Sequence, residues 1–416
     1  MSPAAAPGSA TSERLIIFLV GAVQFVNILD FMMVMPLGPD FAKALGISTA
    51  HLGTVGGSYA ASAAVAGLVA APLLDRFDRR KALGVAIFGL VMGTAAGALA
   101  RGLYSLVLAR AIAGAFGGPA TSIALSIIAD VIPPARRGRA MGAVMGAFSA
   151  ASVLGVPLGL RLARLGGWRL PFLAVAGTGV VIGVLAVRAM PSMRGHIAVA
   201  AATPRVERMR ALLGDSTVLL SLVMNALVMM TAFLVIPNIA AYLQQNFHYP
   251  RADIELLYFV GGATSFFVMR IAGRGIDRLG SAPVAAVGTG ILLVVLYVGF
   301  IAPGALDGAA IMALFVSFMI AMSVRNVSMS SLSTRVPRGD QRAGYMSLQS
   351  TAQHIASATG AFLGSQLLRE GPDGRLVGVR TVATLSAALA LALPPLLAVI
   401  GRRVRVREAA AAAASH

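Results

Sequence analysis

Predominantly apolar runs of membrane-crossing length recur twelve times along this 416-residue chain, and few folds can accommodate that pattern. A helix needs roughly 20 residues to cross about 30 Å of hydrocarbon. The runs cover 15–38, 51–74, 82–100, 105–129, 140–162, 169–190, 216–243, 254–272, 282–302, 308–333, 344–368 and 378–400. They are continuous rather than alternating and rich in Ala, Leu and Gly, which favours helices over a transmembrane barrel. Charged residues make up 12% of the chain, against about 25% in soluble domains. A water-soluble protein of this composition would expose large adhesive patches. The expected fold is an all-α membrane protein with twelve transmembrane helices.

Charge sets the expected orientation. The net charge of +18 suggests a nucleic-acid partner until its distribution is read. Basic residues fall in short clusters between apolar runs, with no aromatic-studded basic surface, so no nucleic acid is expected. Alternate loops carry Arg76, Arg79, Arg80 and Lys81; Arg136, Arg137 and Arg139; Arg274 and Arg278; and Arg335, Arg338 and Arg342. The tail adds Arg402, Arg403, Arg405 and Arg407. The intervening loops hold far fewer, so both termini are expected in the cytoplasm, in a plasma or bacterial inner membrane. The run after Arg14 is too long for a signal peptide and is read as a retained first helix. With no cysteine and five scattered histidines, neither a disulfide framework nor a metal site is expected.

Residues 191–215, basic and including Pro204, form the longest non-apolar interval and divide the chain nearly in half. The expected organisation is a cytoplasmic N-terminus 1–14, a six-helix bundle 15–190, a cytoplasmic linker 191–215, a second bundle 216–402 and a tail 403–416. The Ala-rich end after Glu408 reads as unstructured. Three features recur between the halves. Asp75-Arg76 is matched by Asp277-Arg278, Pro133 by Pro337, and Gly155-Val156-Pro157-Leu158-Gly159 by Gly360-Ala361-Phe362-Leu363-Gly364. The offsets are 202, 204 and 205 residues. Duplication of a six-span unit explains all three. Parallel halves place a substrate site at their interface near mid-membrane, with alternating access by rocking.

Four motifs carry a family resemblance. Asp75-Arg76-Phe77-Asp78-Arg79-Arg80 follows the second span, with Ala71 and Asp78 where a Gly-x-x-x-Asp-Arg-x-Gly-Arg-Arg signature has glycine. The copy at Asp277-Arg278 keeps both glycines, Gly273 and Gly280, and lacks the trailing arginines. Arg110-Ala111-Ile112-Ala113-Gly114 lies in the fourth span, Gly155-x-Pro157-x-Gly159 ends the fifth, and Asp30 precedes Pro36 in the first. Over residues 14 to 402 the chain resembles the major facilitator superfamily, and within it the twelve-helix drug:proton antiporters. The resemblance implies a cytoplasmic gate motif of Asp75, Arg76, Arg79, Arg80, Asp130, Asp277 and Arg278. In it Asp75 meets the start of the eleventh helix, where the dipole favours an anion, and Arg79 pairs with Asp130. Asp78 competes for the same arginines. The resemblance also implies that Gly155, Pro157 and Gly159 seal and hinge the interface, through close helix approach and a proline kink.

Charge inside a span is costly and marks function. Asp30 lies about 16 residues past Arg14, roughly 24 Å from the inner end, and Arg110 roughly 9 Å from the outer end of the antiparallel fourth helix. Their depths match, so an ion pair is geometrically reasonable, although depth does not establish that the side chains face each other. Proton coupling is one reading and a static structural pair the other. Arg325, about 15 Å from the cytoplasmic end of the tenth span, is the second deep charge. Gln349 and Gln353 share a face of the eleventh span, with His354 beside them. These residues either line the second-half wall of a cavity or form a structural network or gate. Asn27, three residues before Asp30, shares its face.

By the same resemblance the first, fourth, seventh and tenth spans line the cavity. Met33, Phe116, Met229, Phe233, Phe318 and Met322, with Asn225, are the expected apolar and polar contacts there; thioethers suit varied ligand shapes. No nucleotide-binding loop or hydrolytic constellation is present, so neither ATP-driven pumping nor an enzyme is expected. The resulting expectation is a monomeric carrier that exports lipophilic small molecules in exchange for protons, with no cofactor beyond the proton. The alternatives are export of a sugar or polar metabolite, proton symport, or a receptor or scaffold that does not transport.

Overall fold

The computed structural model describes residues 10–74, 77–194, 210, 212–337 and 342–413. Asp75 and Arg76 of the gate motif and the middle of the linker lie outside these residues. In the first half the spans are Ala10–Met33, Leu52–Leu74, Arg79–Ala98, Leu103–Val131, a fifth running from Pro134 to Gly166, and Arg169–Ala189. The second half begins with Ser216–Val235, extended by Ile239–Asn246, and continues with Ile254–Leu279 and Ser281–Leu296. Gly308–Ser333, Arg342–Leu367 and a twelfth span in two pieces, Val379–Ala390 and Leu393–Ala413, complete it. Helices satisfy their own backbone groups, which hydrocarbon cannot do.

Among the described residues, eleven helices are long and apolar enough to cross a membrane. The twelfth long helix, Arg342–Leu367, has 26 residues but carries Gln349, Gln353 and His354. Its polar face is turned to protein rather than lipid. Elsewhere the outward faces are apolar: Phe18, Phe88, Leu108, Phe267 and Val294 are all exposed on the bare protein, as lipid contact requires.

Two local departures from the sequence expectation have physical causes. The eighth helix runs past residue 272 to Leu279 and stops at Gly280, whose φ of 89° ends the helix at little steric cost. Arg270 is accommodated by stacking on Phe266, 4.0 Å from its ring centre. The tail is not unstructured: the last helix continues through Ala413. Alanine is the strongest helix former, and Arg335–Glu408 and Arg407–Asp215 ion pairs hold this helix to the second half. A two-strand antiparallel hairpin, Arg369–Glu370 with Leu376–Val377, joins the eleventh and twelfth spans.

The fifth span changes pitch at Ala151–Gly155, a π-helical turn just before Pro157. Proline lacks the N–H that would continue the ladder, and a π turn absorbs the mismatch. This turn packs against the eighth helix of the other half. The second and eleventh helices make the other long cross-half contact. A Cβ added at Gly53 would lie 2.2 Å from the Ala361 carbonyl oxygen, and one at Gly262 would lie 2.7 Å from that of Ser152. Small residues at these seams let backbones touch backbones.

Among the described residues, the hydrogen bonds and ion pairs joining the halves lie at the end away from the basic loops. Arg251 grips Asp40 through Nε at 2.7 and 2.9 Å, Thr49 reaches Gln245 at 3.0 Å, and Ser365 donates to the Ala50 carbonyl at 2.6 Å. Arg164 and Glu255 add a pair at 3.7 Å. The halves are thus closed at that end. The chain has no native cysteine, so spin labels on Lys43→Cys and Asp373→Cys, both exposed there, report this closure alone. Gly53→Val should lengthen the label distance by wedging the second and eleventh helices apart; an unchanged distance would show that the seam tolerates a side chain.

Candidate functional site

The first, second, third and fourth helices meet around Asp30, which is fully buried. Arg110 Nη1 donates to both Asp30 carboxylate oxygens at 2.9 Å, and Nη2 lies 3.4 Å from the Asp30 carbonyl oxygen. The Thr94 hydroxyl lies 2.8 Å from both Asp30 Oδ1 and the Leu90 carbonyl oxygen. With a single proton, it donates to one of them at a time. Tyr59 presents its ring to the Arg110 guanidinium at 4.8 Å and donates its hydroxyl to Asn27 Oδ1 at 2.6 Å. Asn27 in turn donates to the Gly117 carbonyl and to Thr121. Gly114 explains the end of its motif: a Cβ there would lie 2.1 Å from the Tyr59 carbonyl oxygen. Only glycine lets the second helix approach closely enough to set Tyr59 over Arg110.

Tyr59 and Thr94 are site residues that sequence reading missed. Hydroxyl side chains in membrane helices usually bond to their own helix, so nothing in their position along the chain marks them out.

Next to the ion pair, an apolar cluster bridges the halves. Phe31 stacks on Phe233 with ring centres 5.6 Å apart. Met35, Met229, Ile236, Met322 and Ala361 pack around them. Of the expected cavity residues, Met229, Phe233 and Met322 are therefore brought to the junction. Others point elsewhere. Met33 is buried against the fifth span at Gly159. Phe116 fills the space over Gly89 of the third, and Phe318 faces an apolar crevice with Tyr242, Phe300 and Phe315. Asn27 has its amide fully engaged within the first half. Gly155 faces Leu29 and Gly159 faces Met33, both on the first helix, while Ser152 and Val153 lie against Gly262 of the eighth, which the segment Val156–Gly166 also meets.

In the second half, Asn225 is buried, donating to Ser333 at 3.0 Å and accepting from Gln353 at 3.0 Å. Ser221 and Tyr345 hydrogen-bond beside it. Gln349 is half-buried, and His354 bonds to Ser350 one turn away. Arg325 is fully buried; Nη2 donates to Thr231 at 2.9 Å, while Nε and Nη1 have no hydrogen-bond partner among the described residues. Gly288 of the ninth helix lies against its stem, so it points into the bundle rather than toward the junction of the halves.

At the basic end, Arg79 Nε donates to Asp130 at 3.2 Å. This contact joins the third and fourth helices of one half, so it does not by itself span the halves. Asp277 and Arg278 are exposed at the end of the eighth helix. Asp78 does not compete for Arg79. It caps the third helix through the Arg80 N–H at 2.9 Å, accepts from Ser192, and sits 3.6 Å from Arg194, while Arg80 donates to the Met190 carbonyl. Burial pushes the Asp78 carboxyl up, but hydrogen bonds from Ser192 and from the N–H groups of Met193, Arg80 and Lys81 outweigh it and bring it down to about 2.

A folded-state value below the ordinary 3.8 stabilises the clasp above that value and loses it as pH falls through about 2. Asp78→Asn should therefore release residues 191–194 at neutral pH, read as faster amide exchange; the parent should release them only in strong acid. For the ion pair, removing one partner strands a buried charge at about 3–5 kcal/mol. Asp30→Leu and Arg110→Met should each lower unfolding stability in detergent by that order, and the double variant should recover most of it. Additive losses would mean the two charges do not depend on each other.

Comparison with known proteins places these features in a family. The Major Facilitator Superfamily model matches residues 20–361 and 221–415. A chloramphenicol resistance protein from Streptomyces lividans is 27% identical over 277 residues, 66% of this chain and 70% of that one. Among solved structures, a bacterial homolog of the human lysosomal transporter Spinster, inward-facing and occupied, aligns with TM-score 0.74 at 17% identity over 95% of this chain and 98% of its own. A D-xylose-proton symporter aligns with TM-score 0.72 at 18% identity over 92% and 97%.

Proposed function

The chain belongs to the Major Facilitator Superfamily, and from that premise we propose that it is a proton-coupled carrier exporting lipophilic small molecules by alternating access. It is a multi-pass membrane transporter rather than an enzyme. The observation that carries the coupling reading is the dry Asp30–Arg110 pair, whose acid is the one placed deep within a span among the described residues. A buried pair is weak support for stability, since apolar residues would serve as well, so its presence favours a functional role. With the basic loops on the cytoplasmic side, the closed end faces outward, and the carrier acts as a monomer in the cell membrane.

Thr94 gives the pair two balanced states. With Asp30 ionised, the Thr94 hydroxyl donates to Oδ1. With Asp30 protonated, the new O–H donates to the Thr94 oxygen and Thr94 turns its own proton to the Leu90 carbonyl. Neither state leaves a carboxyl oxygen stranded while Arg110 Nη1 keeps its bond to Oδ2, and protonation removes the negative charge that holds Arg110 in place. A proton taken from outside and released inside then alternates with substrate at the same junction.

The substrate class rests on the Phe and Met side chains at that junction, and the chloramphenicol resistance relative favours the same class. Purified protein in liposomes should accumulate chloramphenicol or a lipophilic dye against its gradient only when a pH gradient is imposed. Asp30→Asn should fall to the level of empty liposomes while downhill exchange persists. A flat response to the gradient in the parent would remove antiport, and accumulation of sugars instead of lipophiles would replace the substrate class.

A further inference from the structure

One aromatic residue touches both the charge pair and the contact between the halves. Tyr59 lies in the interior of the second helix and is 3% exposed. One face of its surroundings is the Arg110 guanidinium, 4.8 Å from the ring centre. On another side Phe31 packs against it, ring centres 5.0 Å apart and tilted by 38°. Phe31 stacks on Phe233 of the opposite half at 5.6 Å. The sequence Arg110, Tyr59, Phe31, Phe233 is therefore a continuous run of contacts from the ion pair to the closed junction. Its hydroxyl, bonded to Asn27, fixes the ring's rotation within the first half.

We infer that Tyr59 is the positioning residue through which the charge state of Asp30 governs closure of the two halves. This rests on the proton-coupled reading above. While Asp30 is ionised, Arg110 is held in one place by the carboxylate and by the face of the ring, an attraction that strengthens when desolvated. The ring is then wedged against Phe31, and Phe31 against Phe233. Protonation removes the anchor that holds the guanidinium, and the ring loses its backing. An empty, deprotonated carrier is in this way locked shut on its outer side, as exchange transport requires, and a proton releases the lock.

Other charged and titratable groups near these elements are few. The fifth span between residues 140 and 160 and the sixth between 170 and 187 contain none. Thr94 on the third is neutral. On the second-half helices that face this region, Arg325 bonds to Thr231 of the seventh, and His354 of the eleventh bonds to Ser350. The histidines on these elements are His354 of the eleventh and the exposed His51 at the outer start of the second helix, so the test must separate both from Asp30.

The readout is the distance distribution between spin labels on Lys43→Cys and Asp373→Cys in nanodiscs, recorded from alkaline to acidic buffer. In the parent, a longer-distance population should grow as pH falls. Asp30→Asn should abolish this response. Tyr59→Leu, which removes the ring, should also abolish it, and Tyr59→Phe, which keeps the ring and loses the hydroxyl, should restore it. Phe31→Ala breaks the same run one contact further on and should behave as Tyr59→Leu if that variant proves too unstable to purify. A parent-like acid response in both Tyr59→Leu and Phe31→Ala, with Asp30→Asn flat, overturns the relay and leaves Asp30 as the proton site. A parent-like response in Asp30→Asn, lost instead in His354→Gln or His51→Gln, overturns the proton-site reading and the relay with it.

Discussion

A carboxylate and a guanidinium out of reach of bulk water fix the first and fourth helices against each other, and the rest of the first half is arranged around that fact. Thr94 supplies the remaining bond to the acid, and Tyr59 covers the base. Gly114 makes room for Tyr59 by removing a Cβ that would strike the backbone of the second helix. In lipid there is no hydrophobic gain in bringing helices together, so packing and polar contacts must do it. The motif at 110–114 is thus one physical device, in which the arginine provides the contact and the glycine provides the access.

The two halves share a scaffold but not this device. At the 204-residue offset of the internal repeat, Asn27 and Thr121 correspond to Thr231 and Arg325. Both pairs hydrogen-bond, at 2.8 and 2.9 Å, so a polar bridge between the first and fourth helices of each bundle occupies equivalent places. At the same offset Asp30 and Arg110 correspond to Leu234 and Leu314. The buried ion pair belongs to one half, and the apolar face it is set against belongs largely to the other.

Depth along a membrane helix can be read from sequence, because each residue adds a fixed rise. That is why the spans and the matching levels of Asp30 and Arg110 were legible. Azimuth is much harder to read. Lipid and protein interior are both apolar, so a membrane helix lacks the polar face that tells which side is outward. Met33, Phe116 and Asn225 have the right depth for a cavity and turn into the packing of their own halves instead. Tyr59 and Thr94 went unnoticed for the same reason. The tail was misread for another: a run of alanines has no amphipathic pattern, yet its propensity and the Arg335–Glu408 and Arg407–Asp215 pairs suffice to keep it helical.

Arg325 has a consequence of a different kind. Its guanidinium does not shed its proton, and Thr231 is its single hydrogen-bond partner among the described residues. The second half therefore carries a permanent elementary charge partway through the bilayer. An elementary charge crossing the whole membrane exchanges about 2.3 kcal/mol per 100 mV with the potential. Any rocking that carries Arg325 along the membrane normal makes the balance between the two orientations depend on voltage as well as on chemistry.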